Sequence, residues 1–206
     1  MKTINIFAFL TLSLLLFSCA EPQVKESQEG VSFDEVVKTR RSIRAYDSTK
    51  TISEQEVQQL LKTTQEAPSW ANNQPSKYYV AMSPEKVSAV QNLVGGNKDR
   101  IIGAPVLIVS TFERGKSGFF QDQPTNEVGE GWGAYDNGLS NAYMVLVARA
   151  MGFDTLIMGM RDADGLRSLF NIPENETIMA VIALGYRSAE PKQPTHRDFN
   201  EVVKFF

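Results

Sequence analysis

The chain has 206 residues, a formal net charge of −3 and 42% hydrophobic residues, with one histidine and one cysteine. That length fits a single globular domain with a sizeable core, and the mild acidity argues against a general nucleic-acid binder. One histidine and one cysteine cannot build the usual zinc sites, and no G-x-S-x-G, P-loop or strand-borne G-x-G-x-x-G is present.

The first segment reads as a leader. Lys2 precedes the apolar run "IFAFLTLSLLLF", which ends in "SCA". A positive start, an apolar stretch too short to span a bilayer comfortably and a small residue at the break define a secretory signal. The lone cysteine, Cys19, follows in "LFSC", which resembles a bacterial lipobox with Phe17 bulkier than usual. The expectation is a signal peptide over 1–18, a lipid-attached polar tether over 19–31 and one folded domain over 32–206. Such a protein is membrane-anchored in the cell envelope, facing the periplasm or exterior; an unused signal would leave it cytoplasmic. The mature domain then has no cysteine for a disulfide or a thiol nucleophile.

The domain starts with "SFDEVVKTR", a short helix with Ser32 as N-cap and Glu35 three residues on. "SEQEVQQLLKTTQEA" is a longer helix with a Ser53–Glu56 capping box and Val57, Leu60 and Leu61 on one face; Pro68 stops it. "KYYVAMS" predicts a strand, and a helix starts near Pro84. "PVLIVSTF" is a continuous apolar strand, as expected for a central one. Residues 114–131 form a long polar, glycine-containing insertion, a length that suits either a binding loop or a solvated surface loop. "GWGAYDNGLSNAYMVLVARAMG" predicts a long helix, apolar on most sides and ending at Gly152. Such a helix must be buried on nearly all sides, and in a chain this short that requires a second subunit. "FDTLIMGM" is a strand, "DADGLRSLFNI" a helix capped by Asp162, and "TIMAVIALGYR" a last strand. The order is neither a regular β-α alternation nor all-β, so the fold class is α+β.

One segment points to chemistry. "KTRRSIRAYD" places Arg40, Arg41 and Arg44 around Ser42, with no carboxylate near in sequence until Asp47. The short helix ends near Arg40, and an extended backbone after it puts Arg40, Ser42 and Arg44 on one side and Ile43 on the other. Guanidinium forks match phosphate oxygens, and the hydroxyl adds a donor. Spacing alone leaves a solvated charge run open.

At these residues the chain resembles the FMN-dependent nitroreductase family. "RRSIRAY" is similar to the family's opening motif, and "APSWANNQPSKYYV" (67–80) to its A-P-S-x-x-N-x-Q-P segment. "GAPVLIVS" resembles its central strand, "DNGLSNAYMVLVARAMGFDTLIMGM" (136–160) its dimer helix and flavin-edge strand, and "ALGY…EPKQPTHRDFNEVVKFF" its last strand and tail. The resemblance covers about residues 32–206.

It implies a nitroreductase-like α+β fold, with a mixed central sheet flanked by helices in an intertwined homodimer. Arg40, Arg41, Ser42 and Arg44 would hold the FMN phosphate, and Arg197 would approach it from the tail. Thr195 and His196 stand where the family often has a further basic residue. Pro68, Ser69, Trp70 and Asn72 would come from the partner subunit and pack on the isoalloxazine; Ser76 replaces the usual aromatic after Q-P. Asn97 and Arg100 match positions that contact the pyrimidine edge in some members. The backbone of Met158 and Gly159 would meet flavin N5 and O4, with Met158 where many members have an acid. No side chain is expected to act as catalytic acid or base, since the cofactor carries the chemistry.

The implied activity is ping-pong transfer of two electrons from NAD(P)H to a nitroaromatic, quinone or related small acceptor. Phe119 and Phe120 are candidates to shape the acceptor site. A lipid-anchored location conflicts with a nicotinamide donor. The alternatives are a tethered flavin-binding or electron-relay module without nicotinamide turnover, or an apo-like lipoprotein that binds small aromatic ligands.

Overall fold

The computed structural model describes residues 31–206; the expected leader and Cys19 lie outside them. Helix α1 (Phe33–Thr39) starts where Ser32 Oγ accepts the Glu35 N–H. Helix α2 (Glu54–Thr64) starts at a complete Ser53–Glu56 capping box. These side chains satisfy amides that a helix N-terminus leaves without partners. Strand β1 (Ser76–Ala81) and helix α3 (Pro84–Gln91) follow, then strand β2 (Val106–Glu113). The short strands β3 (Phe119–Phe120) and β4 (Gln123–Pro124) pair with each other before helix α4 (Gly131–Ala150). Strand β5 (Asp154–Met158), helix α5 (Ala163–Phe170), strand β6 (Glu176–Gly185) and helix α6 (Phe199–Val202) complete the domain.

The main sheet has the order β1-β2-β6-β5, with β2 and β6 inside as the apolar run of β2 requires. Its named strands pair antiparallel. Parallel pairing enters at one edge, where Ser42 bridges to Thr155 of β5. The sheet is therefore mixed only along that edge. Strand alternation divides the core in two. Leu107, Val109, Val181 and Ala183 face one layer with Ile43, Val90 and Leu166. Val106, Ile108, Ile182 and Leu184 face the other with Leu60, Met144 and Phe153.

Helix α4 departs from the expectation of all-round apolar burial. In its first half the buried face is polar: Asp136, Asn137, Ser140 and Asn141 all turn toward the sheet. Strand groups meet them there. Ser110 Oγ donates to Asn141 Oδ1 at 2.9 Å, Asn137 Nδ2 donates to the Thr111 carbonyl at 2.9 Å, and the Tyr78 hydroxyl donates to Ser140 Oγ at 2.7 Å. Buried polar groups are tolerable when paired in this way. Gly133 is needed for close approach, because a Cβ there would lie 2.5 Å from the Phe112 ring. Met144 and Ala148 stay in the core, while Tyr135, 58% exposed, and Tyr143, 39% exposed, face outward.

Candidate functional site

The arginine segment adopts the extended form that the sequence predicts. Arg40 has φ −60° and ψ 129°, which ends α1. The Ile43 N–H donates to the Thr155 carbonyl at 3.0 Å. Ile43 is buried in the core, while Ser42 and Arg44 lie exposed. Arg40, Arg41, Ser42 and Arg44 together line one cleft of about 690 Å³. Arg41 Nη1 donates to the Arg40 carbonyl at 2.6 Å, and Arg44 Nη1 to the Ser42 carbonyl at 3.3 Å. Neither contact neutralises a charge. Among the described residues no carboxylate pairs with Arg40, Arg41 or Arg44.

The tail closes this cleft with residues other than the expected one. Lys192 and His196 line it, as does Lys38 from α1. Arg197 does not; its Nε pairs with Glu201 at 3.1 Å, one turn along α6. The guanidinium, just ahead of α6, pairs at the surface with Glu201 of that helix. The "PKQPTH" spacing carries Lys192 back to the cleft, and a search for arginines alone overlooks it.

A buried ion cluster fixes the segment from behind. Arg187 grips Asp154 through two bonds, Nε to Oδ2 at 2.8 Å and Nη2 to Oδ1 at 2.6 Å. Its Nη2 also donates to the Thr39 carbonyl at 3.2 Å. Arg149 donates to Thr39 Oγ1 at 3.0 Å and lies 3.6 Å from Asp154. The end of α1 is thus tied to β5. The Asp154 bonds, more than any other cause, raise the Arg187 pKa above its usual value.

From Thr155 the edge strand runs three residues to Met158, roughly 10 Å at the rise of a strand. The Met158 side chain is buried, so this residue offers only backbone at the strand end. Gly159 is exposed, and a Cβ on it would meet nothing within 4 Å. Arg161 holds this turn by donating to the carbonyls of Gly159 at 2.9 Å and Ile178 at 3.1 Å. Asn97 and Arg100 sit on the short helical stretch Gly95–Ile101 and bond to each other at 3.2 Å. Gly95 packs on Met160, which brings that stretch alongside the end of β5. The phosphate candidates and the Met158–Gly159 backbone therefore occupy one edge of the sheet.

Pro68, Ser69, Trp70 and Asn72 are not brought to them. They precede β1, at the opposite edge, with β2 and β6 between. Ser69 Oγ accepts the Gln74 N–H at 2.9 Å, and Asp136 Oδ2 accepts the Trp70 N–H at 2.9 Å. Ala71, Asn72 and Gln74 have φ of 44°, 55° and 48°, a left-handed conformation that non-glycine residues rarely adopt. No glycine marks this turn in the sequence; Asn72 alone is of a type that tolerates the left-handed region. The Trp70 ring meets Trp132 at 4.8 Å, and Trp132 meets Tyr135 at 5.6 Å. Residues 114–131 fold around the same Trp132. Gly118, at φ 81°, packs on its ring, and Trp132 Nε1 donates to Asn126 Oδ1 at 2.9 Å. Phe119 is half-buried there and Phe120 is 70% exposed.

One edge of the domain thus carries a cleft lined by arginines without carboxylate partners and an open strand end, and the opposite edge a strained aromatic loop. The nitroreductase family model matches residues 37–96 and 84–186, and the chain belongs to the nitroreductase family. It is 23% identical over 193 residues to a Bacillus subtilis protein named as an NAD(P)H nitroreductase, covering 80% of this chain and 92% of that one. An Archaeoglobus fulgidus protein named as an NADH dehydrogenase/NAD(P)H nitroreductase is 28% identical over 159 residues, covering 75% and 85%. A nitroreductase crystallised with FMN from Exiguobacterium sibiricum superposes with a TM-score of 0.74 at 22% identity, covering 85% of this chain and 97% of that one.

Proposed function

We propose that this chain is an FMN-dependent oxidoreductase. It would work as a homodimer and transfer two electrons from NAD(P)H to a nitroaromatic, quinone or related small acceptor. The observation that carries the reading is the cleft at Arg40, Arg41, Ser42 and Arg44, whose guanidiniums have no carboxylate partner among the described residues. A dianionic phosphate matches that unspent charge. The open space at Gly159, just past the end of β5 and at most about 13 Å from Thr155, lies within reach of a ribityl chain from there. FMN, when bound, supplies the exchange of hydride and electrons.

Each residue then has a task. Arg40, Arg41, Ser42 and Arg44 hold the phosphate, with Lys192 and His196 closing over it. The backbone at Met158 and Gly159 faces the reactive edge, beside Asn97 and Arg100. Pro68, Ser69, Trp70 and Asn72 of a second copy cover the ring. The outward Tyr135 and Tyr143 of α4 suit an interface with that copy. A single stacking slot admits donor and acceptor only in turn, which makes the kinetics ping-pong. Lipid attachment at Cys19 would place the enzyme on the envelope; Cys19→Ser would then release it from the membrane fraction.

The experiment is anaerobic titration of the purified protein with NADH and NADPH. A yellow protein that bleaches with one of them, and regains colour with a nitroaromatic, supports the reading. A flavin that neither donor bleaches would favour the electron-relay alternative. Gly159→Val adds a specific check. A Cβ there meets nothing within 4 Å, so the fold is expected to persist. It would project where the ring edge lies, so turnover falls about a hundredfold or more, as when a positioned contact is lost.

A further inference from the structure

The pocket behind the 68–75 loop contains a charged atom with no assigned role. Asp136 is 3% exposed and lines this space of about 370 Å³ with Pro68, Ser69, Gln74, Tyr78 and Ser140. Its Oδ2 accepts two bonds, from the Trp70 N–H at 2.9 Å and the Ser117 hydroxyl at 2.6 Å. Its Oδ1 accepts none from any described residue. No buried side-chain oxygen among the described residues lacks a partner, so Oδ1 is open to the pocket it lines, where its donor comes from water or a ligand.

The neighbouring polar groups are already engaged. The Tyr78 hydroxyl donates to Ser140 Oγ at 2.7 Å. Lys77, the cation on the same wall, faces Glu113 at 3.2 Å and Glu176 at 3.8 Å. It therefore does not neutralise Asp136. Pro68, Pro75 and Leu61 give the pocket an apolar side that suits a flat ring.

We infer that Asp136 determines acceptor specificity, with Oδ1 selecting molecules that carry a cationic or N–H-donating substituent over anionic ones. The inference rests on the flavin reading above, because the Pro68–Asn72 loop is what sets this pocket beside the ring. An aromatic acceptor lying against Pro68 can send an ammonium to Oδ1, where the bond is charge-assisted. A carboxylate in the same place meets a like charge.

Two probes that share one ring test this: 4-nitrobenzylammonium and 4-nitrobenzoate. Their binding is read by quenching of tryptophan fluorescence, and their reaction by stopped-flow reoxidation of pre-reduced flavin. The parent protein binds the ammonium probe roughly tenfold or more tightly than the carboxylate. Asp136→Asn can keep an oxygen toward Trp70 and Ser117 while its NH₂ replaces Oδ1 with a donor. The preference is then lost or inverted in both readouts. Equal binding of the two probes by the parent overturns the inference, and this comparison stands even if the variant does not fold. An unchanged ratio in a folded Asp136→Asn also overturns it. A binding preference without any flavin to reoxidise would retain the Asp136 site and remove the flavin reading instead.

Discussion

Two groups of arginines meet at Thr39 and differ in what surrounds them. Arg149 and Arg187 converge on Asp154, which is almost fully buried, and they bond the oxygens of Thr39. Arg40, Arg41 and Arg44 turn into an open cleft and bond only backbone carbonyls, if anything, among the described residues. The residue type is the same, but the state of its charge is not. A guanidinium matched by a buried carboxylate serves the fold, and one left unmatched beside a hydroxyl is available to an anion. The first group also holds the second in place, because it anchors the backbone from which Arg40 projects.

The largest effect expected is on the matched group. Arg187→Ala leaves Asp154 buried with only the backbone N–H of residue 187 at 3.3 Å and the more distant Arg149, and breaking a buried pair from one side costs about 3–5 kcal/mol. Urea unfolding measures this directly. A loss of about 0–1 kcal/mol, the range of surface pairs, would erase the distinction between the two groups. The double variant Arg40→Ala, Arg44→Ala should do the reverse. It keeps the unfolding midpoint of the flavin-free parent but purifies colourless, since each lost bond to a charged phosphate costs about 1.5–3 kcal/mol. A full flavin spectrum from that variant would show that the cleft is not the phosphate site. The smallest effect is in the tail. Lys192→Ala should weaken FMN binding by roughly tenfold, the lower end for a charged contact. Arg197→Ala should leave it close to the parent, because that guanidinium is spent on Glu201. The opposite order in a flavin titration would restore Arg197 as the tail ligand.

The parts of this site that were legible in the sequence follow local rules. Ser32, Ser53 with Glu56, and Asp162 cap the helices that their spacing announces. The alternation at 40–44 puts Ile43 inside and its neighbours outside, because a strand has period two. The parts that were not legible depend on distant partners. Helix α4 reads as apolar nearly all round, yet its polar residues go inward because Ser110, Thr111 and Tyr78 are there to receive them. Arg197 looks like a cleft residue until the turn of α6 brings Glu201 to it. The left-handed run at Ala71, Asn72 and Gln74 contains no glycine to announce it, and Asp136, which holds it, lies 66 residues from Trp70. Lys192 and His196 become visible as cleft residues only once the tail is folded back.

The central claim is that each site is built from the phosphate edge of one copy and the 68–72 loop of another. Mixed dimers test it most directly. One subunit carries Arg40→Ala with Arg44→Ala, and the other carries Trp70→Ala with Asn72→Ala; either homodimer alone should lack bound flavin. If the site is shared, the mixed dimer contains one site with both defects and one with none. It should then recover about half the flavin of the parent dimer, and about half its turnover. A mixed dimer as colourless as its two parents would mean that each subunit builds its site alone, and would contradict the account.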